Sequence, residues 1–322
     1  MEGIKRLLAW GDASVNHFLS EIPGASAWRN VQEIHKGWSS DSKYFIQTTD
    51  GRDLLLRISN ITQYDKKQRE FESVKKLDHI DNVLMSRPLG FGLCNNGQSV
   101  YSLFTWVNGE DAEGIIPTLN AEQQYQLGVH AGKVLAKLHE IYAEQDRVPW
   151  AEHYNAKINR YIRNYKSCGI ALKGADQTIS FIEQNRHLLE NRPQTFQHGD
   201  YHVGNMVITS SGELGIIDFN RLDYGDPWEE FNRITWCAGL SPLFASGRIH
   251  GYFNNDVPDL FFRLMALYIA SNQISSIHWA IPFGKEEVDD MVQRAEEVLE
   301  GYDYFQTVIP KWYLPLHLSS KM

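Results

Sequence analysis

At Asn108-Gly109 the sequence changes its period, and that change limits the fold more than any other feature. Before it, apolar residues fall in short β-prone runs; after it, they recur at helical spacing over long stretches. Residues 31–36, 42–48 and 53–58 read as strands. The last two flank Thr49-Asp50-Gly51-Arg52. Asp-Gly between such runs favours a hairpin, because both turn positions want φ > 0. A polar helix over 63–77 follows, with Phe71, Val74 and Leu77 on one face, then strands near 83–87 and 98–104. A five-stranded sheet with one helix is expected.

Beyond the break, Leu127, Ala131, Val134, Leu135, Leu138, Ile141 and Tyr142 keep helical spacing. Asn120 can cap that helix, with Gln123 in the reciprocal position. Further helices are expected near 150–166, 174–190, 227–238, 257–280 and 285–303, with a strand-and-loop block over 195–226. The reading is an α+β chain: a β-rich lobe over 1–104, a connector over 105–109 and a larger, mainly helical lobe over 110–322. At 322 residues it can bury a core without disulfides or a structural metal. Cys94, Cys168 and Cys237 are too few and too scattered for a disulfide framework or a zinc site.

Lys plus Arg number 31 and Asp plus Glu 40, a net charge of -9, which argues against nucleic-acid binding. A cationic small molecule is the better partner. The apolar run near the start is too short for a signal peptide. The longest charge-free stretch, 264–284, carries Ser271, Asn272, Gln273, Ser275, Ser276 and His278, too polar for a membrane span. A cytoplasmic protein without membrane contact, a monomer or homodimer, is expected.

The chemistry concentrates in His198-Gly199-Asp200-Tyr201-His202-Val203-Gly204-Asn205, then Ile216-Ile217-Asp218-Phe219-Asn220 and Tyr224-Gly225-Asp226-Pro227. Strands over 206–209 and 213–217 would form a hairpin across Ser210-Ser211-Gly212, folding Asp218 back toward Asn205. Asn205 and Asp218 then offer the hard oxygen ligands that Mg²⁺ takes, and Asp200 can face a nucleophile. An Asp, an Asn five residues on and a later metal-binding Asp follow the logic of a kinase catalytic loop.

In these motifs, and in the order of its lobes, the chain resembles the aminoglycoside phosphotransferase family, a branch of the protein-kinase-like superfamily. The resemblance implies a bilobal kinase-like fold, with ATP and Mg²⁺ as cofactors held between the lobes. It implies Asp200 as the catalytic base or hydroxyl-orienting group, and Asn205 and Asp218 as magnesium ligands. Arg57 falls where the family has a phosphate-binding Lys or Arg, and Glu70 where a helix glutamate pairs with that cation. Thr105 and Val107 would bind adenine through their backbone, with Phe104 limiting the pocket behind the base. Gly37-Trp38-Ser39-Ser40-Asp41 takes the place of the phosphate-covering loop, with Ser39 and Ser40 against the nucleotide. The implied activity is phosphoryl transfer to a small-molecule hydroxyl, foremost on an aminoglycoside or another hydroxylated amine. Choline, ethanolamine, homoserine and macrolides are alternatives, as is an inactive nucleotide-binding pseudokinase.

Two departures bear on this. Arg57 stands for the lysine of the best-known members, with a different, bidentate geometry. Phe219-Asn220 replaces Phe-Gly, and the block before Pro227 is too short for an activation segment, which disfavours protein phosphorylation.

Other readings of single features are weaker. His198 and His202 stand four apart, but Gly199 and Gly204 spoil the helix that a zinc motif needs. Residues 37–43 lack the second glycine of a phosphate-binding P-loop. The acidic helix over 285–303 has an apolar stripe opposite its charges and reads as a solvated face. Asp226 is expected to cap the helix that Pro227 begins.

Overall fold

The structure, a computed structural model, describes residues 19–35, 41–144 and 146–316. It divides into two units: residues through Gly109 together with Val207–Asn220, and Glu110–Met206 together with Arg221 onward. The stretch Val207–Asn220, which the sequence reading puts in the helical lobe, groups with the first unit, where it contributes to a small sheet separate from the five-stranded one.

In the first unit, strands β1 (Trp28–Ile34), β2 (Ser42–Thr48), β3 (Asp53–Asn60), β5 (Pro88–Cys94) and β6 (Ser99–Thr105) form an antiparallel sheet in the order β1-β2-β3-β6-β5. Lys43 pairs with Arg57, and Arg57 with Ser102, so these three share one face. Tyr44, Ile46, Leu54, Leu56, Tyr101 and Leu103 point to the other face and bury against Leu19, Ile22 and Trp28. Each such side chain contributes ~1.5–3 kcal/mol by leaving water. The helix Tyr64–Lys75 packs Phe71 and Val74 inward.

The fifth strand is not the one expected near 83–87. There only β4 (Leu84–Met85) is extended, and it pairs in parallel with Leu214–Ile216. Strand β5 takes the edge instead. Pro88, Gly90 and Gly92 depress its β propensity, but an edge tolerates them.

In the second unit, Asn120 and Gln123 form the expected capping box at the helix Ala121–Leu138, with bonds of 2.9 and 3.1 Å. That helix lies along Pro242–Tyr252, a helix the sequence does not announce. Pro242, Gly247 and Gly251 read there as breakers, yet the glycines are what permits the packing. A Cβ at Gly251 would stand 2.0 Å from the Val129 carbonyl oxygen. The stretch expected as one helix over 227–238 is a 3₁₀ segment, Pro227–Arg233, followed by the helix Ile234–Leu240. Asp226 caps it as expected, accepting from the Trp228 N–H at 3.0 Å. Arg192 grips the same carboxylate at 2.6 and 2.9 Å. Among the described residues no helix is long and apolar enough to cross a membrane.

Candidate active site

The loop that carries Asp200 is held by its backbone. It leaves the strand Thr195–Gln197 and turns at Gly199, whose φ is +80°. A Cβ at Gly199 would lie 1.9 Å from the Arg221 carbonyl oxygen, so only glycine fits between the two segments. Glu230, fully buried, accepts from the N–H groups of His198 and Gly199. Burial pushes the Glu230 carboxyl up, but His139, His198 and Arg248 outweigh that and hold it below its ordinary range. Arg248 donates to the carbonyls of Tyr201 (2.8 Å) and Glu230 (3.0 Å). Two buried charges therefore fix the loop, and His198 is a buried structural residue of it.

Asp200 sits among cations. Its Oδ1 is 2.6 Å from Arg233 Nη1 and 3.3 Å from His202 Nε2, and its Oδ2 is 3.7 Å from Arg221 Nε. Burial raises its pKa, but the hydrogen bond from His202 and the charges of Arg233, His202 and Arg221 hold the carboxyl well below the usual range. A carboxylate with so low a pKa stays ionised as pH falls, so if it served as a base it would impose no acid limb near neutrality. Replacing Arg233 with methionine should raise that pKa by about one to three units, the effect of losing an adjacent opposite charge. The acid limb of kcat/KM should move upward by a similar amount, and an unmoved pH profile would count against this electrostatic role. Asn205 donates its amide to the Asp200 carbonyl at 2.9 Å, which ties its side chain to the Asp200 loop through nitrogen and not through its oxygen.

In the first unit Asp218 adopts φ +66°, a left-handed conformation that is costly for most side chains. Its Oδ1 lies 3.2 Å from Arg57 Nη2 and its Oδ2 3.9 Å from Lys43 Nζ. Both cations are buried. Burial and the neighbouring Arg57 push the Lys43 pKa down. The structure thus brings Arg57 to Asp218 and does not pair it with Glu70. The Glu70 carboxylate meets Lys67 at 3.1 Å and Lys66 at 3.8 Å, both on its own helix, and Lys67 also holds Asp41 at 2.8 Å. The helix supplies its own counter-charges at i,i+3 and i,i+4 spacing, so the expected strand-to-helix pair is replaced. Arg57 and Glu70 still line one small cavity of about 30 Å³, together with Phe71, Phe104 and Asp218.

Thr105 closes β6, donating its N–H to Arg87 at 2.8 Å, and Trp106 donates to Asp53 at 3.0 Å. Val107 is buried, and its side chain lies where a Cβ at Gly215 would fall. Ser39 and Ser40 lie outside the described residues. Sequence reasoning missed Lys43, Arg221, Arg233 and Glu230. Strand alternation alone could have found Lys43, two positions before Phe45 on the face of Arg57; the others depend on tertiary approach.

The oxygens of Asn205 and Asp218 are the hard donors that Mg²⁺ selects. Among the described residues no three His, Cys, Asp or Glu side chains gather around one point.

A model of the phosphotransferase enzyme family matches residues 30–262, most of the chain. The chain belongs to this family. No curated protein matches it. Among solved structures, the streptomycin–ATP ternary complex of APH(2")-IIa is 15% identical, covers 90% of this chain and 97% of its own, and has a TM-score of 0.64. The apo form of a thermostable mutant of aminoglycoside phosphotransferase APH(4)-Ia is 13% identical, with coverages of 87% and 97% and a TM-score of 0.65. The GDP complex of wild-type aminoglycoside 2'-phosphotransferase-IIIa is 14% identical, with coverages of 88% and 96% and a TM-score of 0.66. The phosphotransferase therefore has the kinase-like α+β fold and is an enzyme of the small-molecule kinase type. Its second unit holds one more cavity, about 220 Å³, lined by Trp236, Arg294, Tyr302 and Trp312. Trp236 stands 5.0 Å from the His202 ring, next to the Asp200 loop.

Proposed function

We propose that this phosphotransferase moves the γ-phosphoryl group of ATP, with Mg²⁺, to a hydroxyl of a small molecule. The observation that carries the reading is Asp200, a carboxylate kept ionised on a loop that its neighbours pin. Arg233 and His202 occupy Oδ1, so Oδ2 is the atom to take a substrate hydroxyl. Asp200 orients that hydroxyl and accepts its proton as the bond to phosphorus forms and the bond to the ADP oxygen breaks. The transition state is loose, so positioning and charge neutralisation dominate. Asn205 and Asp218 would hold Mg²⁺, which offsets phosphate charge when bound. Arg57 and Lys43, both beside Asp218, serve the phosphates. Glu70 acts through Lys67, and Ser39 and Ser40 stay assigned to the covering loop.

Thr105 and Val107 would offer adenine an acceptor–donor pair, with Phe104 limiting depth. Guanine presents the opposite groups, and a buried polar group left unpaired costs ~1–3 kcal/mol, or about tenfold or more in affinity. ATP should be preferred to GTP by at least that order, and Phe104→Ala should narrow the gap. KM values for both nucleotides decide this, and equal values in the parent protein would contradict it.

The neighbours' ligands bring forward an aminoglycoside or another hydroxylated amine as acceptor, with choline, homoserine and macrolides behind it. A phosphate-transfer screen over these classes with ATP and Mg²⁺ tests the reading. Turnover of ATP without any small-molecule product, or phosphate found on protein alone, would reject it.

A further inference from the structure

We propose that Lys67 sets the affinity of the site for nucleotide phosphates, as a positioning residue that neutralises Asp41 and so leaves the charge of Arg57 and Lys43 to the phosphates. The inference rests on the phosphotransferase reading, because it concerns the cations that would meet ATP. In the first unit the side chains of Lys43, Arg57 and Lys67 are 10%, 9% and 10% exposed, and those of Asp41 and Glu70 4% and 15%. Charges so far out of water are weakly screened and feel one another over several ångströms.

The two strands set the order of these groups. Lys43 faces Arg57 across β2 and β3. Asp41 stands two positions before Lys43, and Ser59 two after Arg57, so both continue that face. The Ser59 hydroxyl donates to Asp41 Oδ1 at 2.8 Å, which fixes the carboxylate beside the cation pair. Without a counter-charge of its own, Asp41 would draw on Arg57 and Lys43.

Lys67 supplies that counter-charge. From the helix Tyr64–Lys75 its Nζ reaches Asp41 Oδ2 at 2.8 Å and Glu70 Oε2 at 3.1 Å. Burial pushes the Asp41 carboxyl up, but the bond and charge of Lys67, the Ser59 bond and the Arg57 charge outweigh it and hold the group below its ordinary range. Lys67 leads those opposing influences and Arg57 comes last. One lysine thus compensates two covered carboxylates, while Arg57 and Lys43 keep their positive charge at Asp218. Phosphate oxygens need that charge, because hydrogen bonds between ionised partners are the strong ones. Lys66 makes a useful contrast: it lies 3.8 Å from Glu70 but is 61% exposed.

ATP, ADP and adenosine are titrated into the full-length protein with Mg²⁺ and no acceptor, the nucleotides by calorimetry and adenosine by ligand-observed NMR. Lys67→Met should weaken ATP binding at least about tenfold, ADP binding less, and adenosine binding by no more than about twofold, because the penalty follows the phosphate charge. Adding Asp41→Asn to Lys67→Met removes the uncompensated carboxylate and should recover most of the ATP affinity, a coupling that a double-mutant cycle reads directly. Lys67→Arg keeps the charge and should stay within about threefold of the parent, as should Lys66→Met, which removes a charge that water already screens. Should Lys67→Met not fold, Lys67→Gln, which keeps a donor for Asp41 without the charge, takes the same readings. Unchanged ATP affinity in the Lys67 variants, an equal loss for adenosine, or no recovery in the double variant would each overturn the proposal. If the parent binds ATP and these variants match it, the phosphotransferase reading stands and this one falls; if the parent binds no ATP, both fall.

Discussion

Replacing Asp200 with alanine should slow turnover by about 10²–10⁴-fold, the usual contribution of a positioned general base. Nucleotide binding should survive, because no nucleotide contact is assigned to that side chain. The substitution also strips Arg233 of the carboxylate 2.6 Å away, so some loss of stability is expected. Asp200→Asn keeps the volume and separates the two effects: it should be nearly as slow and better folded. The stability part has a definite pH sign. The folded carboxyl titrates below its ordinary value of 3.8, so the ion pair's contribution is present above that pH and is lost as pH falls further. Near-normal kcat in a folded Asp200→Ala protein would remove the base from the account.

The second large effect belongs to Asp218. Loss of a metal-binding carboxylate should weaken Mg²⁺-dependent ATP binding by at least ~10–100-fold, the cost already seen for groups that merely support such ligands. Asp218 also faces two buried cations, and breaking a buried pair costs about 3–5 kcal/mol when its partner stays charged. Its own side chain is 29% exposed, so the cost should fall at the low end of that range. Asn tolerates the left-handed backbone that Asp218 adopts, whereas alanine does not. Asp218→Asn should thus lose magnesium dependence with a smaller drop in Tm than Asp218→Ala. Calorimetric titration of ATP with and without Mg²⁺ reads the first effect, and an unchanged magnesium dependence would contradict the assigned role.

Local chemistry was legible in the sequence wherever a few neighbouring residues decide the outcome. The Asp50-Gly51 turn joins β2 to β3, the Ser210-Ser211-Gly212 turn closes with Gly212 at φ +83°, and Asn120 and Asp226 cap as their spacing implies. Elements whose stability comes from tertiary contact were not legible. Strand β5 and the helix Pro242–Tyr252 carry Pro and Gly that lower their intrinsic propensity, and each forms because a neighbour's surface rewards it. The same division holds for the site. The loop motif named Asp200 and Asn205 as candidates and contains His202, the nearest-in-sequence group that holds Asp200 ionised, while the other two charges, Arg221 and Arg233, lie 21 and 33 residues later in the chain. Glu70 went the other way: the family resemblance implied a pair with Arg57, but lysines one turn away on its own helix are nearer.

The central claim, that Asp200 serves phosphoryl transfer from ATP to a small-molecule hydroxyl, is tested most directly by following the γ-phosphate. The protein is incubated with γ-labelled ATP, Mg²⁺ and the pooled acceptor classes, and the products are separated by size and charge. The account predicts label on a small molecule, dependent on Mg²⁺ and lost with Asp200→Ala. Label that stays in ATP, passes only to water or protein, or reaches a small molecule equally well without the Asp200 carboxylate would contradict it.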